Sequence, residues 1–242
     1  MAWFGRSYNH FKFEVYSVSH ILILIIFIFV TIGIFLSRGK FHGPKWRRME
    51  IGIALSLLLI EATYHVWLFV NANWKVSHAI PLELCSISLI LSVILLLTGK
   101  TVFLEILLFT ALLGSTQAIL FPSLHYGFPH FRFFHFFYTH MMVVWVALYS
   151  MYSKEFRLTF MSVIKLWVFL NILMPIILYI NKLTNGNYLY LSHKPSHMSL
   201  LDLLGPYPWY ILSMEALVII LSLILWLIFR KKGKENQSSR YY

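Results

Sequence analysis

Of the 242 residues, 59% are hydrophobic, 18% aromatic and only 12% charged, half the charged share of about 25% that a soluble domain carries. That balance excludes a soluble globular domain, because most positions must face lipid or another helix. The net charge of +11 does not mark a nucleic-acid binder either: the basic residues fall in short loops between apolar runs and in the C-terminal tail, with no continuous basic face.

A bilayer core about 30 Å thick needs roughly 20 apolar residues in a helix. Seven runs qualify in chain order: Ser17–Leu36, Met49–Val70, Ile80–Thr98, Val102–Phe121, Phe133–Tyr152, Leu158–Ile180 and Tyr207–Phe229. In lipid only helices or closed barrels satisfy every backbone group. The expected fold class is therefore all-α membrane: a single seven-transmembrane-helix bundle over residues 1–229, then a polar tail, 230–242, expected to be disordered. No repeat and no separate soluble domain is apparent. The first run is followed by Arg38, Gly39 and Lys40 without a small-residue cleavage site, so no cleavable signal is expected.

Lys and Arg in alternate loops set the direction. One set holds Arg38, Lys40, Lys45, Arg47, Arg48, Lys100, Lys154 and Arg157, with Arg230, Lys231, Lys232, Lys234 and Arg240 of the tail. The other holds Arg6, Lys12, Lys75, Arg132, Lys182 and Lys194. The heavier set belongs in the cytoplasm, which puts the N-terminus outside and the C-terminus inside a plasma membrane crossed many times. The outward side then carries two long connections, 122–132 and 181–206, rich in His, Tyr, Pro and Asn.

Ionisable residues inside a span are costly, and each is a candidate for function. The second run has Glu61, Tyr64 and His65 on one helix face. The third has Cys85, Ser88 and Ser92 in a stripe, with Pro81 one turn above, in the first helical turn. Gln117 lies one turn from the outer end of the fourth, and Arg132, Phe136 and His140 form a stripe on the fifth. At 1.5 Å per residue, Cys85 and His140 each fall roughly 8–12 Å below the outer end of their helix. His65 and Gln117 fall at similar depth, which favours one shared cavity. Taken singly, each also has a plainer reading: Cys85 and the serines as packing residues, the histidines as groups bonded to a carbonyl or water, and the aromatic run 131–138 as an interfacial belt.

A thiol with a His in reach is a nucleophile and base pair. At outer-leaflet depth the nearest acyl esters are those of membrane phospholipids, so the pair suits acyl transfer or deacylation of a lipid. Gln117 or a backbone N–H near Pro81 could hold the oxyanion, Arg132 a lipid phosphate, and Glu61 could orient His65. Cys85 is the one cysteine, so no intrachain disulfide forms. Two other classes stay open. A metal-dependent membrane hydrolase would draw on His65, Glu61, His135, His140 and Asp202, without any recognisable ligand spacing. A non-enzymatic carrier or sensor would use the polar cavity for binding, although no inverted repeat is present and Pro175 is the only interruption expected in the sixth run. No cofactor motif is present, and protein partners cannot be read.

The segment 81–89, Pro-Leu-Glu-Leu-Cys-Ser-Ile-Ser-Leu, resembles a signature of the bacterial YwaF family of integral membrane proteins. So do Gln117-Ala118, Pro122, the run from Gly127 to Phe134, Phe137 with His140, Asn187 to Leu191, Pro195, and the run from Leu201 to Tyr210. The likeness extends from Glu61 to about Tyr210. It implies a seven-span fold. Distantly similar eukaryotic proteins are transmembrane acyltransferases that remodel ether phospholipids with a membrane-embedded cysteine. By that similarity Cys85 would carry the acyl group and His140 would be the base.

Overall fold

A computed structural model describes residues 2–41, 44–194 and 200–230; all of the expected tail 230–242 but its first residue, and Pro195, lie outside them. Among the described residues the chain is helical, with no strand beyond isolated bridges. Seven helices follow one another: α1 Val18–Leu36, α2 Pro44–Val70, α3 Leu84–Thr98, α4 Thr101–Leu120, α5 Phe131–Ser153, α6 Phe160–Thr184 and α7 Trp209–Phe229. All but α3 are long and apolar enough to cross a membrane. Their outward faces carry side chains such as Phe29, Phe69 and Leu183, which lipid tails solvate at no cost.

The start of α3 differs from the expectation. Helix was anticipated from Ile80, with Pro81 in its first turn, whereas it begins at Leu84 after an extended N-cap, Glu83 (φ −67, ψ 148). A residue before proline is pushed out of the helical region. Here the Ile80 N–H goes to the Tyr188 hydroxyl at 3.0 Å, and the Leu82 N–H to Ile80 O at 2.8 Å. Cys85 is therefore the second residue of a 15-residue helix, about 22 Å long, and not two turns inside it. In contrast, α2 begins at Pro44 and not Met49, because proline suits a first helical position. This brings Arg47 over the end of α3, where its guanidinium donates to Leu96 O and, at 2.6 Å, to Leu97 O.

The centre of the bundle is α5. It is the least apolar span, with mean hydropathy 1.2, and the most enclosed, since its polar groups are spent on neighbours. The Tyr138 hydroxyl meets Ser56 at 2.6 Å, the Trp145 indole donates to Thr31 at 3.1 Å, and the Tyr149 hydroxyl donates to Glu50 at 3.0 Å. Such bonds join α1 and α2 to α5 where water is absent. Around them pack Leu104, Leu107, Val143, Val144 and Ala147, none more than 1% exposed. α4 is not uniform: Thr110–Ser115 is a π-helical stretch.

The longer connections, α2–α3, α4–α5 and α6–α7, gather at one end. The N-terminal residues cross over the α4–α5 loop: Phe13 N–H donates to His125 O (3.0 Å) and Gly127 N–H to Phe11 O (2.6 Å). The backbones touch so closely that a Cβ on Gly127 would stand 2.7 Å from Lys12 O. Below, Trp67, Asn71 and His130 donate to the carbonyls of Phe4 and Gly5 at 2.9–3.1 Å.

Candidate functional site

At that end of the bundle lies a cavity of about 570 Å³. Its wall takes Glu61 and Tyr64 from the last third of α2, Cys85 and Ser86 from the first turn of α3, and Ser115 and Gln117 from the end of α4. Arg132, His135 and His140 come from the first half of α5, and Tyr190 from the α6–α7 connection. Cys85, His140, Gln117, Arg132 and Glu61 thus share one chamber. His65 stands behind Glu61, one turn further along α2.

One wall is a chain of charge-bearing groups. Glu61 Oε2 accepts from His135 Nε2 at 3.1 Å, and His135 Nδ1 accepts from Arg132 Nη1 at 2.6 Å. A guanidinium only donates and a carboxylate only accepts, so His135 carries its proton on Nε2 and has no free lone pair. The Arg132 guanidinium also lies over the Tyr64 ring, 4.1 Å from its centroid. His65 is the weaker partner of Glu61, at 3.8 Å from the other carboxylate oxygen, and its Nδ1 accepts from Trp74 at 3.3 Å. Glu61 thus holds His135 by a hydrogen bond, in addition to the longer ion pair with His65 that sequence spacing suggested.

His140 is placed differently. Its Nδ1 lies 2.6 Å from Phe136 O; a carbonyl accepts, so Nδ1 donates and Nε2 keeps a lone pair. Across the chamber, the free thiol of Cys85 sits at the N-terminal end of α3, where first-turn N–H groups lack intrahelical acceptors. Glu83, the N-cap, makes no side-chain cap and accepts instead from Leu189 N–H at 3.3 Å. The thiol makes no hydrogen bond to His140; the two groups face one cavity. Ser115 lies beside the thiol, and its buried hydroxyl has no partner among the described residues other than that thiol.

Sequence reasoning weighed His135 only as a metal ligand and missed its bond to Glu61, and Ser115 escaped it altogether. Ser115 was invisible because the π-helical turn shifts the register by one residue, so α-helical spacing points it elsewhere. Among the described residues no three His, Cys, Asp or Glu side chains converge in a way that could hold a metal ion. Asp202, one of the ligands weighed from sequence, lies 3.9 Å from Lys194.

An all-helical chain with long apolar spans and a polar chamber at one end of its bundle is an integral membrane protein. The chain belongs to the TMEM164 family, whose model it matches over residues 8–226. Compared with curated proteins and with solved structures, it matches none.

Proposed function

We propose that the protein is a thiol-dependent lipid acyltransferase of the plasma membrane, with seven spans, an outward N-terminus and a cytoplasmic C-terminus. The observation that supports this reading is the chamber itself, where a thiol at a helix N-terminus faces a histidine whose Nε2 lone pair is free. His140 Nε2 takes the Cys85 proton, and Sγ attacks the carbonyl carbon of a phospholipid ester. The first-turn N–H groups of α3, with Gln117 or the Ser115 hydroxyl, receive the developing oxyanion. The ester C–O bond breaks, and the lysophospholipid leaves with the proton from His140. A second lysophospholipid hydroxyl then gives its proton to His140 and attacks the thioester, and the C–S bond breaks to restore the thiol. Closure of the gap between thiol and imidazole on substrate binding fits the looser geometry of sites without substrate. Arg132, stacked on Tyr64 and linked through His135 to Glu61, is suited to the phosphate. The motif likeness to the YwaF family, to which eukaryotic membrane-embedded cysteine acyltransferases are distantly similar, agrees with this assignment.

The test is incubation of the purified full-length protein with phosphatidylcholine carrying a labelled acyl chain. Label should appear on Cys85 as a hydroxylamine-labile adduct, and Cys85→Ala should abolish transfer at unchanged membrane abundance. Full turnover in Cys85→Ala would sink the mechanism. A non-enzymatic lipid or small-molecule carrier is the second reading, favoured by the absence of a thiol–imidazole hydrogen bond. It predicts saturable lipid binding without any adduct.

A further inference from the structure

A second cavity, of about 360 Å³, opens between α6 and α7. We propose that it holds the fatty acyl chain carried by Cys85, an assignment that rests on the acyl-transfer reading. Its size falls within the range of about 300–1,000 Å³ usual for ligand sites. Glu83, Cys85, Gln117, Tyr190 and Met214 line both cavities. The polar chamber and the apolar groove therefore meet at the thiol. A phospholipid ester has the same division, a charged head on one side of the carbonyl and a hydrocarbon tail on the other.

The groove is apolar along its length, with Leu166, Leu170 and Met174 from α6 facing Met214, Val218 and Ile219 from α7. From Met174 down to Val163 it follows α6 for about 16 Å, close to half of the hydrocarbon core of about 30 Å. That is about the length of the acyl chains of one leaflet. α7 packs chiefly on α6 and on the turn Leu200–Leu204, which leaves room between it and α3. Besides Glu83 at the thiol end, one carboxylate borders the groove, and it is engaged: Glu215 Oε1 accepts from Trp167 Nε1 and from Asn171 Nδ2, both at 2.7 Å. This clasp holds α6 and α7 together at mid-depth. Ser222 closes the deep end; it is fully buried, and its hydroxyl has no partner among the described residues. A small side chain there sets where the chain must stop.

The full-length protein is reconstituted in nanodiscs of phosphatidylcholine doped with an analogue bearing a diazirine at the end of its acyl chain. Illumination should label Val163, Val218 or Ser222 about tenfold or more above the lipid-facing Ile220 and Ile224, a margin typical of discrimination by an apolar pocket. Equal labelling of both sets overturns the assignment. With a mixture of myristoyl, palmitoyl and stearoyl lipids, Ser222→Phe should shift the chain found on Cys85 toward myristoyl by about tenfold. Val218→Ala, which cannot block the groove, should shift it the opposite way. Unchanged distributions in both variants also overturn it. Acylation of Cys85 with the photolabel outside the groove refutes the chain site alone. Labelling within the groove while Cys85 never becomes acylated refutes the acyl-transfer reading, and the assignment of a Cys85-borne chain falls with it.

Discussion

Tyr188 is the post on which the approach to Cys85 is hung, and Tyr188→Phe tests this with little change of shape. The ring is 1% exposed and packs with Ile177 and Leu191. Its hydroxyl donates to Val76 O at 2.6 Å and accepts from Ile80 N–H at 3.0 Å. Removing it leaves the Ile80 N–H without its partner, at about 1–3 kcal/mol, whereas Val76 is exposed and its carbonyl can turn to water. A net loss of about 2 kcal/mol lowers the melting temperature by about 4–8 °C in a chain of this size. If the same free energy governs local opening of the 76–83 segment, maleimide labelling of the single cysteine quickens by up to about thirtyfold. Circular dichroism melts and intact-mass labelling kinetics in detergent read the two effects. Tyr179→Phe, at an exposed site on α6, is the control and should stay within about 0.5 kcal/mol of the parent. A Tyr188→Phe protein that melts and labels like that control would refute the idea that this bridge positions α3.

Arg132→Lys keeps the charge and loses both the planar stack on Tyr64 and the bond to His135; anionic phospholipid binding, followed by native mass spectrometry, should weaken by about tenfold, or about 1.4 kcal/mol. Gly127→Ala drives a Cβ to 2.7 Å from Lys12 O and 3.0 Å from Lys12 C. Backbone cannot yield as a flexible side chain does, so the N-terminal segment should loosen by about 1–3 kcal/mol, seen as faster tryptic cleavage at Lys12. His130, outside the spans, has its imidazole pushed below the ordinary range, first by burial. Neutral His130 donates to Gly5 O and accepts from Arg132 N–H, so its contribution is complete above the unfolded value of about 6.5. It is lost as pH falls from there through the lower folded value. The same cleavage should accelerate on acidification, and His130→Asn should flatten that dependence.

The apolar runs were legible because lipid demands them: each predicted span overlaps a helix, and most ends agree within a few residues. The start of α3 was not, since the non-helical form of 80–83 depends on Tyr188, more than a hundred residues away, as well as on Pro81. Local propensity around Pro81 carries no trace of that contact. Cys85, Gln117, Arg132 and His140 stood out because a polar group in a span is rare. The pairing of His135 with Glu61 did not, because the two lie on different helices. The two cavities, and the way they meet at Cys85, depend on the packing of α7 against α6, which no periodicity records.

The π-helical stretch in α4 has a bearing on how such a site is altered by mutation. It holds one residue more than an α-helix would over the same rise. Deleting a residue between Thr110 and Ser115 would relax the stretch to ordinary helix and leave the span's apolar length nearly intact. Everything beyond it would keep its direction, because the extra residue is taken up within the wide turn, and Gln117 would still face the chamber. Insertions and deletions, normally confined to loops, thus have a foothold inside a spanning helix, where a residue can be lost without turning Gln117 out of the chamber.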